Sequence, residues 1–97
     1  MTKNYYVYIL ASRKNGTIYT GVTYNLKKRV FEHKSGTING FTKKYHVKNL
    51  VYFETHERID DAIRREKRIK TWKREWKINL ICSINPGWND LYDEIPN

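Results

Sequence analysis

Along the chain, apolar and polar positions first alternate with the period of a strand and later recur at the three- and four-residue spacing of a helix. Tyr5 to Ala11 is dense in aromatic and β-branched residues and predicts a strand. Ser12-Arg13-Lys14-Asn15-Gly16 predicts a turn, Asn-Gly being a strong hairpin signal, and Thr17 to Thr23 is the returning strand. Pairing across a four-residue loop sets Tyr8 opposite Tyr19. Side chains alternate on a strand, so Tyr6, Tyr8 and Leu10 share one face and Val7 and Ile9 the other. Asn25 is placed to cap a helix that runs to about Ser35, where Gly36 stops it. Leu26 and Val30, four apart, mark its buried stripe. Thr37 to Lys48 is polar and reads as a loop, and Leu50 to Thr55 as a third strand. A second helix starts near Asp60 and carries Ala62, Ile63, Glu66 and Ile69. Continued further, it would bring Lys73 into the apolar stripe, so a break is expected between Lys70 and Lys73. A last helix, roughly Arg74 to Ile84, is expected to bury Trp76, Leu80 and Ile84, and Asn85-Pro86-Gly87 ends it. The short acidic tail, about 86–97, is expected to pack through Trp88, Leu91 and Tyr92. The fold class that follows is α/β (α+β). It is a small, largely antiparallel three-stranded sheet flanked by helices, in the order β-β-α-β-α-α.

Length narrows this further. Ninety-seven residues support one domain and one modest core. No apolar run approaches the ~20 residues of a membrane span, and the tyrosine-rich start lacks the small-residue cleavage site of a signal peptide. The lone Cys82 excludes an internal disulfide and a cysteine-rich zinc site. A reducing, cytoplasmic location is the expectation.

Charge adds the first functional clue. The net charge is +9, and from Met1 to Phe53 ten basic residues meet one acid, Glu32. From Glu54 onward nine basic residues meet nine acids, so the whole excess sits on the N-terminal half. A one-sided basic surface concentrates polyanions and supports salt-dependent phosphate binding. Anionic membrane surfaces would compete as partners, but no amphipathic anchor is evident. Nucleic acid is therefore the expected partner, with Lys43, Lys44 and Lys48 in the polar segment as phosphate-contacting candidates.

Three sets of residues ask for more than a structural role. Arg29 and His33 are four apart and within one turn of Leu26 and Val30, at the inner edge of their helix. On spacing alone, a helix-edge pair with its aliphatic parts over the core is the simpler account. Glu66 falls between Ala62 and Ile69 on the apolar face, among basic neighbours. A carboxylate turned inward must be paired, for instance with Arg29, or must bind a cation, and spacing alone leaves both open. Tyr8 and Tyr19 are cross-strand aromatics that stabilise a hairpin by ~0.2–1 kcal/mol, and phenols are also able to position or deprotonate a water. A tyrosine, an arginine and a carboxylate together are parts for phosphodiester chemistry. His46 and His56 have no metal-ligating partner at useful spacing. Cys82 reads as a small buried hydrophobe, and Trp72 and Trp76 read as core.

Taken in order, these residues resemble the GIY-YIG nuclease superfamily. Tyr6-Val7-Tyr8 and Tyr19-Thr20-Gly21 look like its paired tripeptides, with Tyr6 in place of the first glycine and Thr20 in place of the second isoleucine. Leu26-Lys27-Lys28-Arg29 followed by His33 resembles its arginine helix. Arg65-Glu66-Lys67 followed by Ile69-Lys70 resembles the helix that carries its metal-binding glutamate. The likeness is greatest to the small stand-alone bacterial members. It implies a hydrolytic DNA endonuclease using one divalent cation, Mg²⁺ or Mn²⁺. By position, Glu66 would ligate the metal and Arg29 would hold a non-bridging phosphate oxygen. Tyr8 or Tyr19 would orient or deprotonate the attacking water, His33 would assist, and Gly21 would allow close backbone approach. Val22 stands where some members have lysine, and Asn89 is the nearest match to a late asparagine of the site. With no room for an attached target-recognition domain, the expectation is structure-selective cutting in repair or recombination, or cutting directed by a protein partner. The alternatives are a non-catalytic nucleic-acid-binding module and an accessory protein of a repair complex.

Overall fold

A computed structural model describes residues 3–96. Its sheet has three strands, β1 (Tyr5–Ala11), β2 (Ile18–Thr23) and β3 (Asn49–His56), in the order β2-β1-β3 with both pairings antiparallel. The helices are α1 (Leu26–Ser35), α2 (Phe41–Lys44), α3 (Ile59–Thr71) and α4 (Arg74–Ile84), and a 3-10 turn covers Tyr92–Glu94. The central strand is the most apolar one. Val7, Ile9 and Ala11 pack on one face with Val51, Tyr52, Ala62, Ile69, Ile81 and Trp88. Tyr8 and Leu10 pack on the other with Leu26, Val30, Val47, Leu50 and Ile95. A strand covered on both faces needs such a continuous apolar run. The alternation read from the sequence therefore holds, as do the β-β-α-β-α-α framework and the antiparallel sheet.

The hairpin register differs from the expected one. Tyr8 lies opposite Gly21, and Tyr19 lies opposite Leu10. The turn occupies Arg13 to Gly16, with Gly16 N–H donating to Arg13 C=O and Ser12 N–H to Thr17 C=O. Asn15 sits in the left-handed region at φ 59°, and a Cβ on Gly16 would lie 2.4 Å from Ser12 Oγ. Ser12 therefore pairs with Thr17 outside the turn, and the register moves by two residues. A two-residue shift preserves faces, so both phenols still lie on one side of the sheet.

Helix α1 has the expected bounds. Asn25 Oδ1 accepts from Lys28 N–H, and Gly36 closes the other end at φ 74°. Thr37 N–H then donates to Glu32 C=O. The polar stretch expected to be a loop contains α2, a single helical turn. It is too short to show any apolar period, and its one buried residue is Thr42. The break after Lys70 is present, because Trp72 and Lys73 are extended and separate α3 from α4.

Of the three residues expected to be buried on α4, only Leu80 packs against the core, and it is half-buried. Trp76 is 50% and Ile84 58% exposed, while Ile81 is fully buried. The covered line runs one residue later, through Ile81 to Asn85. The Asn85 amide donates to Val51 C=O and Asn89 C=O, which fixes the end of the helix to β3. On α3, Ile63 likewise faces outward, and Ala62, Glu66 and Ile69 face in. In the tail, Trp88 is buried, and Leu91 and Tyr92 pack against the second core cluster. Among the described residues no helix is long and apolar enough to cross a membrane.

Candidate active site

The five residues singled out for chemistry come from four elements, and Tyr8, Tyr19 and His33 come together on one face of the sheet. Tyr8 is on β1, Tyr19 on β2, Arg29 and His33 on α1, and Glu66 on α3. Helix α3 covers the Val7–Ile9 face with Ala62 and Ile69, and the phenols occupy the opposite face. Because β2 is the edge strand, side chains from α3 reach around it. Lys70 Nζ lies 2.7 Å from Glu66 Oε2 and 5.8 Å from the centre of the Tyr19 ring.

Tyr8 is only 1% exposed. The absence of a side chain at Gly21 creates its seat, since a Cβ there would meet the Tyr8 hydroxyl and ring at 2.5 Å. The close approach that Gly21 permits is thus filled by the protein's own phenol. Tyr8 Oη lies 3.3 Å from His33 Nε2, and His33 Nδ1 lies 2.9 Å from Thr42 Oγ1. Tyr19 is half-buried, and its ring stands 6.4 Å from that of Tyr8 and 5.7 Å from that of His33.

Burial raises the Tyr8 hydroxyl well above the usual tyrosine range. The neighbouring Tyr19 adds to the rise, the Arg29 guanidinium opposes it, and Glu66 adds further. Arg29 and Glu66 are therefore both within electrostatic reach of this phenol. The His33 imidazole is pushed below its ordinary value of 6.5 by burial and then by Arg29, with Glu32 pulling the other way. His33 is consequently neutral at pH 7, with one ring nitrogen a donor and the other an acceptor.

Arg29 does not pair with Glu66. Its nearest acid is Glu32, one helical turn on, at 3.6 Å, with the Arg29 side chain 44% exposed. Glu66 instead pairs with Lys70 on its own helix, and its side chain is only 11% exposed. Spacing could have found this partner, because a glutamate four residues before a lysine is the favoured ion-pair order on a helix. Thr42 carried no such signal.

The remaining candidates are more scattered. Lys43 and Lys44 are exposed on α2, Lys43 donating to Asn39 and Lys44 lying over the Tyr45 ring. Lys48 is half-exposed just before β3. The backbone N–H and C=O of Asn89 are both bonded to the Asn85 side chain. No hydrogen bond or ion pair joins Asn89 to the phenols, Arg29 or Glu66 among the described residues. His56, for which no metal-ligating partner is expected, is hydrogen-bonded to Glu54.

Glu66 is the buried carboxylate available to a cation. Among the described residues no three His, Cys, Asp or Glu side chains group together, so there is no closed protein cage. A single carboxylate does fit Mg²⁺ or Mn²⁺, hard cations that keep several waters and share substrate phosphate oxygens.

Comparison with known proteins bears on the family and the fold. A family model described as the GIY-YIG catalytic domain matches residues 4–79. A UPF0213 protein of Syntrophus aciditrophicus is 40% identical over 82 residues, covering 84% of this chain and 92% of that protein. The UPF0213 protein SSP2268 of Staphylococcus saprophyticus is 36% identical over 77 residues, covering 79% and 93%. The solution NMR structure of the UPF0213 protein BH0048 from Bacillus halodurans superposes with a TM-score of 0.56 at 30% identity, covering 90% of this chain and 92% of that one. With its matched span running from the first strand into the last helix, the chain belongs to the GIY-YIG family, a nuclease superfamily.

Proposed function

We propose that this protein is a divalent-metal-dependent endonuclease that hydrolyses DNA phosphodiester bonds. The observation that carries the reading is a buried, inward-facing Glu66 at the same sheet edge as two phenols, a half-exposed arginine and a neutral histidine. Glu66 would hold Mg²⁺ or Mn²⁺, which when bound supplies Lewis-acid polarisation of the scissile phosphate. Arg29, held only by a long pair to Glu32, is free to donate to a non-bridging oxygen as charge builds there. Tyr19, the less buried phenol, orients the attacking water.

Tyr8 is a relay rather than a standing base, since its raised pKa keeps it protonated at neutral pH. With the Nδ1 proton of His33 donated to Thr42 Oγ1, Nε2 is an acceptor for the Tyr8 hydroxyl. The water proton passes to the Tyr8 oxygen as the Tyr8 proton passes to His33 Nε2. Hydroxide attacks phosphorus, the P–O bond to the leaving oxygen breaks, the leaving oxygen takes a proton from solvent water, and the imidazolium gives its proton back through Tyr8 to the hydroxide so formed.

Nicking of supercoiled and branched DNA with Mn²⁺ tests the reading. Wild type should nick, and Glu66→Ala should bind DNA without nicking. The same absence of cutting in both proteins across divalent ions would sink it. One observation favours a second reading, a non-catalytic DNA-binding module: Lys70 already neutralises Glu66 at 2.7 Å. That reading holds if DNA is bound and removal of Lys70 brings no cleavage.

A further inference from the structure

Phe41 and Tyr45 are 47% and 46% exposed, although both lie at the short α2 whose Thr42 is buried against His33. Their ring centres are 5.0 Å apart. Phe41 also lies 6.4 Å from Tyr19 with an interplanar angle of 31°, and Tyr19 lies 6.4 Å from Tyr8. Four rings thus run in series from the fully buried Tyr8 to solvent. An exposed aromatic surface continuous with a functional site is a binding surface.

The charge around it selects the partner. No Asp or Glu occurs between Glu32 and Glu54, whereas Lys44 lies over the Tyr45 ring and Lys70 over Tyr19. Aromatic faces interleaved with lysines match a ligand of planar bases joined by phosphates. In a duplex both faces of every internal base are already stacked, so only an unpaired base has a face to offer. We propose that Phe41 and Tyr45 form a stacking ledge for an unpaired nucleobase beside Tyr19, and that the preferred substrate carries a single-stranded segment there. The inference rests on the nuclease reading, which puts the attacking water at Tyr19.

Binding is measured without cutting, by fluorescence anisotropy in EDTA. The probes are a labelled oligothymidylate strand and the same strand annealed to oligoadenylate. Wild type should bind the single strand more tightly than the duplex at equal salt. Phe41→Leu combined with Tyr45→Leu keeps apolar volume and removes both π-faces. It should weaken single-strand binding by about tenfold or more and leave duplex binding unchanged. Tyr45→Phe keeps the ring and should bind like wild type. Unaltered single-strand binding in the double variant, or equal loss on both probes, overturns the ledge. If the double variant does not melt cooperatively, Phe41→Leu alone is read by the same criteria. A protein whose single-strand binding depends on these rings but that never nicks with Mn²⁺ keeps the ledge and loses the nuclease. One that nicks, with the double variant binding the single strand normally, keeps the nuclease and loses the ledge.

Discussion

Two clusters of the same residue types lie on this small sheet, and their wiring is opposite. At the β3 edge, Glu54 accepts from the Tyr52 hydroxyl at 2.6 Å, from His56 Nε2 at 2.6 Å and from Arg65 Nε at 3.0 and 3.2 Å. Every member of that group has a partner. At the β2 edge, Tyr8, His33, Arg29 and Glu66 supply the same chemistry but are hardly joined. Tyr8 meets His33, Glu66 meets Lys70, and Arg29 has a 3.6 Å pair. A saturated network stabilises the fold, because each polar group recovers its lost hydration. An open one leaves carboxylate and guanidinium capacity for something that is not protein.

The largest expected difference between the clusters comes from deleting each acid. Glu66→Ala should lower nicking by about two orders of magnitude or more, the scale on which loss of one charge-stabilising group in a reaction centre shows. Its melting temperature should hardly move, since only Lys70 loses a partner. Glu54→Ala should do the reverse. Nicking per folded molecule should persist, while stability falls by about 2–3 kcal/mol as three donors lose their acceptor. Chemical denaturation beside a nicking assay reads both. Equal stability losses in the two variants would erase the contrast.

Acid should separate the clusters next. The His33 pKa lies below 6.5 in the folded protein because burial and Arg29 disfavour its charged form. Stability from keeping it neutral is therefore full above pH 6.5 and is lost as pH falls through the lower folded value. For Glu54, burial pushes the carboxyl up, but hydrogen bonds from Tyr52, His56 and Arg65 outweigh it and hold the pKa below 4.5. Its contribution is present above pH 4.5 and lost on further acidification. Melting temperature should thus fall in two stages, with His33→Gln removing the first and Glu54→Gln the second. Nicking should fail with the first stage, since a protonated His33 cannot accept from Tyr8. A profile whose acid limb follows the second stage would remove His33 from the relay.

These contrasts show which parts of the molecule a sequence discloses. Asn25 and Gly36 bound α1 because caps are local chemistry, and the α3–α4 break is visible because Lys73 has no place in an apolar stripe. Glu66 is legible as inward-facing because Ala62 and Ile69 fix the face of its helix. The hairpin register is not, since the choice of which four residues between Ser12 and Gly16 make the turn shifts pairing by two and leaves every face unchanged. The covered line of α4 is set by the bond from Asn85 to Val51 C=O, a contact thirty-four residues away in sequence. Helix α2 is one turn long, so no periodicity announces it. With it goes Thr42, whose hydroxyl meets the His33 nitrogen on the far side of the ring from Tyr8.

Thr42 offers a finer test. Thr42→Val keeps the shape and removes the oxygen 2.9 Å from Nδ1. The tautomer with Nε2 as acceptor then loses its support, and nicking should fall about three- to tenfold, the worth of one hydrogen bond. DNA binding should stay as it was. The acid limb of the rate profile should move as well, which a purely structural threonine would not cause. Thr42→Ser, keeping the hydroxyl, should restore both.

The smallest expected effect bears on how open the β2-edge cluster is. Lys70 is 48% exposed and belongs to an i,i+4 pair, so Lys70→Met should cost the fold only about 0.3–0.5 kcal/mol. In solution the ammonium and a divalent ion compete for the same Glu66 oxygen. Removing the lysine should therefore lower the Mn²⁺ concentration needed for half-maximal nicking by about twofold, with the maximal rate little changed. The direction distinguishes two roles. If Lys70 is a competitor that keeps an empty carboxylate paired, less metal is needed. If it is instead a phosphate-holding group over Tyr19, the variant requires the same metal and binds DNA more weakly, with a shallower dependence on salt.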